Sequence, residues 1–120
     1  MSIRELIYPP EKEGREKHTP HIEAPDSVKA GEPFKVDITV GKEVPHPNTM
    51  EHHIKWIQLY ATVEGRSHNP VHIATFELAP THAEPKVTVV MKLEKTATLH
   101  ALSYCNLHGI WENTKRITVH

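Results

Sequence analysis

The chain has 120 residues, 38% of them hydrophobic, with 14 basic and 15 acidic side chains. That length fits a single domain over residues 1–120 that needs neither a disulfide nor a metal merely to fold. The balanced charge gives no ground for a nucleic-acid partner, and no apolar run approaches a membrane span.

Met1 to Glu5 is too polar for a secretory signal, and the chain is expected to be soluble and cytoplasmic. Ten prolines spread along the chain argue against a helical bundle. Residues 1–17 are charged and mixed, a short helical or irregular lead-in. Val28 belongs to a strand before the turn Gly31-Glu32-Pro33. Phe34, Val36, Ile38 and Val40 then alternate with Lys35, Asp37 and Thr39, the period of a half-buried strand. Ile54, Trp56, Ile57, Leu59, Tyr60 and Val63 form a longer apolar strand ending at Glu64-Gly65. Val71 to Leu78 is another. Val87, Val89, Met91 and Leu93 make the next, and Ala97 to Tyr104 follows the polar turn Glu94-Lys95-Thr96. Ile117 and Val119 close the chain. This pattern predicts an all-β protein, an immunoglobulin-like antiparallel β-sandwich of about seven strands.

Cys105 is the only cysteine, and His108 lies three residues beyond it. One thiol excludes an intrachain disulfide and the multi-cysteine cages of structural zinc. A metal bound there needs mainly nitrogen donors beside one soft sulfur, which points to redox iron or copper. The same spacing also suits a core cysteine beside a surface histidine. In Pro45-His46-Pro47-Asn48-Thr49-Met50-Glu51-His52-His53, two prolines fix the backbone around His46, and the offset to His52 lets the two imidazoles approach. A solvated His-rich loop is the plainer reading of that segment. His53 should face away from His52 and serve a structural purpose. Glu16-Lys17-His18 by itself is a charged surface tripeptide. Loops of a sandwich cluster at its ends, so His18, His46, His52, Cys105 and His108 can converge from distant positions. His21, His68, His72, His82, His100 and His120 show no paired spacing and receive no role, with His72 and His100 facing solvent. Trp56 and Trp111 read as core or site-wall aromatics.

Three segments in order resemble the superoxide reductases, that is, the neelaredoxins and the catalytic domain of desulfoferrodoxin. They are Glu16-Lys17-His18-Thr19-Pro20, the run Val40 to Ile54 centred on Pro45-His46-Pro47-Asn48-Thr49-Met50-Glu51-His52-His53, and Ala101 to Glu112 containing Tyr104-Cys105-Asn106-Leu107-His108-Gly109. The resemblance runs from about residue 13 to the C-terminus and is carried by the specific middle and last motifs.

It implies one mononuclear non-haem iron (Fe) with His18, His46, His52 and His108 equatorial and Cys105 axial. Glu16 would take the sixth position in the oxidised state, and Lys17 would stand beside the open site. The implied activity is one-electron reduction of superoxide to hydrogen peroxide without dioxygen release. The electron would come from rubredoxin or a similar small redox protein, and the chain would form a homo-oligomer, a tetramer. The lack of further cysteines matches the one-iron class without a desulforedoxin domain. The stretch Ala79 to Glu84 is shorter than in some members. Backbone amides of Leu107 and His108 are candidate donors to the thiolate. A cupredoxin-like copper protein is the rival reading, although no Met follows His108 between Ile110 and Arg116. A non-catalytic immunoglobulin-like binding module is the third.

Overall fold

A computed structural model describes residues 1–120. After a single 3-10 turn at Ile3–Glu5 and a one-turn helix α1 at Arg15–His18 come eight strands. They are β1 (Pro20–Glu23), β2 (Ser27–Val28), β3 (Phe34–Val40), β4 (Ile54–Val63), β5 (Val71–Glu77), β6 (Lys86–Met91), β7 (Ala97–Cys105) and β8 (Gly109–Val119). They form two sheets, one of three strands ordered β1-β3-β6 and one of five ordered β2-β8-β7-β4-β5. No helix is long and apolar enough to cross a membrane.

The expected β-sandwich is present, and alternation explains its core. Phe34, Val36, Ile38 and Val40 of β3 face Ile57, Leu59 and Ala61 of β4 and Leu99 and Ala101 of β7 within one buried cluster. Inward positions of β7 continue without a break as Ala97, Leu99, Ala101, Ser103 and Cys105, all buried. The same period-two rule that packs the core therefore delivers the thiol to its edge.

Three features depart from expectation. The first strand starts at Pro20, immediately after His18; its two outward residues, His21 and Glu23, are polar and hide a short apolar pattern in Ile22 and Pro20. The last strand spans Gly109–Val119 rather than the final few residues, because its middle is polar and half-exposed. All pairings between named strands are antiparallel except β2 with β8, a two-residue parallel contact at Ser27↔Thr118 and Val28↔Val119.

Trp56 also differs from a core aromatic. A register shift between Ile54 and Trp56 lets Ile54 and Ile57 both point inward and leaves Trp56 half-buried on the outer face. There its ring stacks on Tyr104, with centroids 5.6 Å apart. His72 is exposed as expected, whereas His100 is half-buried on that outer face, where its Nε2 lies 2.8 Å from the Thr62 hydroxyl.

Candidate metal centre

The β7–β8 hairpin brings in the first two donors. Cys105 ends β7, Gly109 begins β8, and the two residues are paired across the ladder. Only Asn106, Leu107 and His108 form the turn, and Gly109 has φ +83°, the left-handed conformation that closes it. Cys105 is fully buried, with its Sγ 3.6 Å from His108 Nδ1. Neither the Leu107 nor the His108 N–H hydrogen-bonds to a protein acceptor, the Cys105 sulfur included, whose one polar neighbour is His108 Nδ1.

The other three imidazoles arrive on less regular backbone. His18 ends α1, and its carbonyl accepts a hydrogen bond from the buried Ser103 hydroxyl at 3.0 Å. Its Nδ1 donates to the Gly14 carbonyl at 2.9 Å, which leaves Nε2 free to accept; that atom lies 3.2 Å from His108 Nδ1. His46 follows a tight return of the chain at Gly41, where a Cβ would meet the His46 backbone nitrogen at 2.5 Å. Only glycine fits there. His46 Nδ1 donates to the Pro47 carbonyl at 2.7 Å, so its Nε2 also carries a free lone pair. Thr49 and His52 hydrogen-bond to each other and close the loop. Asn48 ties the far side of this loop to the 79–84 segment through Thr81 and Ala83.

The four rings form a square. Adjacent centroids are 5.0 Å apart for His18–His46, 4.6 Å for His46–His52, 4.9 Å for His52–His108 and 5.0 Å for His108–His18. The His18–His52 distance of 6.5 Å is longer, as a diagonal must be. Neighbouring planes lie at 67–76° to one another.

Ligand atoms of His18, His52, Cys105 and His108 all fall within 4.8 Å of one another. His46 stands outside that tightest group but completes the square. The Nε2 atoms of His46 and His52 are buried without a hydrogen-bond partner. Two orphaned lone pairs facing a thiol and two further imidazoles form a donor set that a metal ion satisfies.

Electrostatics favours neutral rings. Burial pushes the His46 pKa down to about 4, and the charges that His18, His52 and His108 would carry press in the same direction. Burial likewise lowers His18 and His52, with His108 and Lys17 adding repulsion. Neutral imidazole is the form that ligates metal.

Glu16 and Lys17 precede His18 on α1. Lys17 is exposed and close enough for its charge to be felt by His18 and His52. Glu16 is half-buried and lines a surface depression with Arg15, Thr19, His21, Lys42 and Glu43, none of which belongs to the square. Its carbonyl accepts the Val44 N–H at 3.3 Å, tying α1 to the His46 loop.

Residues 11–114 match the family described as desulfoferrodoxin. The chain belongs to that family. Among its relatives, a superoxide reductase from Pyrococcus horikoshii is 46% identical over 102 residues, covering 82% of this chain and 84% of the relative. The neelaredoxin of Megalodesulfovibrio gigas is 37% identical over 116 residues, covering 87% and 88%. The solved superoxide reductase (neelaredoxin) of Ignicoccus hospitalis superposes with a TM-score of 0.91 at 47% identity, covering all of both chains.

The lead-in of this desulfoferrodoxin-family chain contributes more than the sequence suggested. Tyr8 bridges to β8, its N–H donating to Ile110 and its carbonyl accepting from Glu112. Its ring rests on Trp111 at 4.8 Å, and Trp111 stacks on His18 at 4.7 Å and 14°. The Trp111 indole N–H donates to the His108 carbonyl at 3.1 Å, so one buried aromatic braces two of the four imidazoles. Only the period-two position of Ser103, two residues before Cys105, signals its inward hydroxyl in the sequence. Nothing local announces Tyr8. Of the methionines weighed for a copper site, Met91 is in the core and Met50 is 66% exposed.

Proposed function

We propose that this chain is a superoxide reductase whose single mononuclear iron is held by His18, His46, His52, His108 and Cys105. The observation that carries this reading is the square of four imidazoles with two orphaned Nε2 atoms beside a buried thiol. Four nitrogens and one sulfur would suit iron that cycles between two oxidation states, with these five residues holding it. When bound, the iron supplies the electron and the site at which superoxide is reduced.

The protein supplies the rest. Neutral imidazoles leave the cation's charge uncancelled, which favours an anionic substrate. Lys17 adds local positive charge where the chain as a whole has almost none, and this attracts superoxide to the site. Conversion of superoxide to hydrogen peroxide consumes one electron and two protons. Lys17 or solvent water delivers those protons. Hydrogen bonds from the Leu107 and His108 N–H groups, which follow Cys105 in the turn, would moderate the electron donation of its sulfur to a bound iron. The Glu16 carboxylate turns from its depression toward the square once product has left, and closes the site.

Each superoxide reduced consumes one electron, so a donor must supply it. The donor is rubredoxin or a similar small one-electron protein, in a reducing compartment such as the cytoplasm where a free thiol persists. The tetramer implied by the family resemblance is the assembly in which it works.

The test is to mix anaerobic ferrous protein with superoxide and quantify both oxygen products. Peroxide without dioxygen is the expected result. Both together in equal amounts would mean dismutation.

A further inference from the structure

His52 lies in irregular backbone, and the turn formed by Thr49 and His52 closes only on itself. What sets this turn against the β7–β8 hairpin is a residue of the hairpin. The Asn106 side-chain N–H donates to the Glu51 carbonyl at 2.9 Å, and its side-chain oxygen accepts the His53 N–H at 2.8 Å. Its own backbone N–H donates to the His53 carbonyl at 3.2 Å. The Glu51 carbonyl belongs to the peptide before His52, and the His53 N–H belongs to the peptide after it. One carboxamide thus grips both peptide bonds that flank His52, and it does so from the residue adjoining Cys105.

We propose that Asn106 is a positioning residue of the metal centre, holding His52 at its corner of the square relative to Cys105 and His108. The chemistry requires a side chain with a donor and an acceptor on one short stem. Aspartate keeps the bond from His53 but turns an acceptor toward the Glu51 carbonyl. Serine is too short to span both groups. His53 supports the same clamp from the other side: it is buried, and its Nδ1 donates to the Thr49 carbonyl at 3.0 Å. Asn106 lies within the Cys105-x-x-His108 motif, yet its side chain serves the other loop rather than its own.

This inference rests on the reading of the square as an iron site, and the experiment separates the two. Wild type, Asn106→Asp and Asn106→Ser are loaded with iron. Iron loss to a ferrous chelator, the position of the oxidised thiolate band and the thermal midpoint of each apoprotein are then measured. Losing a partner that orients a metal ligand typically costs about 10–100-fold in affinity. Asn106→Ser should therefore release iron about 10–100-fold faster with a displaced band, and Asn106→Asp, which keeps one side-chain bond, should fall between. If Asn106→Ser does not fold, the aspartate variant carries the same comparison. A lower thermal midpoint with wild-type iron release and an unmoved band overturns the proposal, because Asn106 then only braces a loop. A wild-type protein that binds no iron overturns the metal-centre reading itself.

Discussion

The two halves of the centre are built differently. Cys105 and His108 come from a hairpin whose ladder runs unbroken from Ala97↔Ile117 to Cys105↔Gly109. His18, His46 and His52 come from a one-turn helix and a loop, outside any ladder. Sheet hydrogen bonds place the sulfur at no extra cost, since its position is simply the next inward one on β7. The three other imidazoles need separate devices: Ser103 and Trp111 for His18, Gly41 and the flanking prolines for His46, and Asn106 for His52. Replacing a hairpin donor itself should therefore change chemistry with little effect on folding, whereas replacing a residue that ties the loop-borne imidazoles to the hairpin should couple ligand placement to stability.

Cys105→Ser should give the largest effect. The hairpin keeps its backbone, so the thermal midpoint changes little, while superoxide reduction falls by more than about a hundredfold, beyond the cost of losing an orienting partner. The visible band of the oxidised protein should vanish. Retention of that band in the variant would show that the thiolate is not a ligand.

Ser103→Ala comes next and probes the tether between the two halves. It leaves the His18 carbonyl without its donor at a fully buried position. Such a loss costs about 1–3 kcal/mol. A thermal midpoint several degrees lower, with weaker iron retention, is expected; an unchanged midpoint would mean that the segment carrying His18 is held by other contacts.

The pH dependence of the apoprotein sharpens the comparison further. His46, pushed down to about 4, and His18 and His52, also lowered, titrate below the ordinary histidine value of 6.5. Between those values and 6.5 the unfolded chain binds more protons than the folded one. Stability is thus complete above pH 6.5 and falls as the pH drops toward 4. Urea midpoints of iron-free protein taken across that window should decline steadily; a flat profile would show that the square is not packed without metal.

Lys17→Ala should have the smallest effect. Steering by local charge changes association rates by roughly 10–10³-fold when many groups act together, so one exposed lysine supplies the low end. Pulse radiolysis should show slower superoxide capture with a flatter salt dependence. An unchanged rate would remove Lys17 from the capture step.

Period-two alternation made β3, β6 and β7 readable because each has one dry face. It failed for Trp56, where a bulge inserts a residue and reverses the phase, and for β1, where two of four residues are polar and exposed. The convergence of His18, His46, His52, Cys105 and His108 was legible through motif resemblance, since spacing alone left Cys105-x-x-His108 as consistent with a core cysteine as with a ligand. The supports were harder to foresee. Asn106 and Ser103 act through hydrogen bonds to residues 53 and 85 positions away in sequence, and no local pattern encodes such partners. Tyr8 reaches the centre only through Trp111, by a stack that the charged lead-in does not advertise.

The proposed chemistry requires one sulfur and four nitrogens to meet at a single ion. Iron K-edge X-ray absorption of the iron-loaded protein reports that shell directly. It should show one iron per chain with one sulfur scatterer and four nitrogen scatterers of imidazole type. A shell without sulfur, or with fewer than four imidazoles, would contradict it.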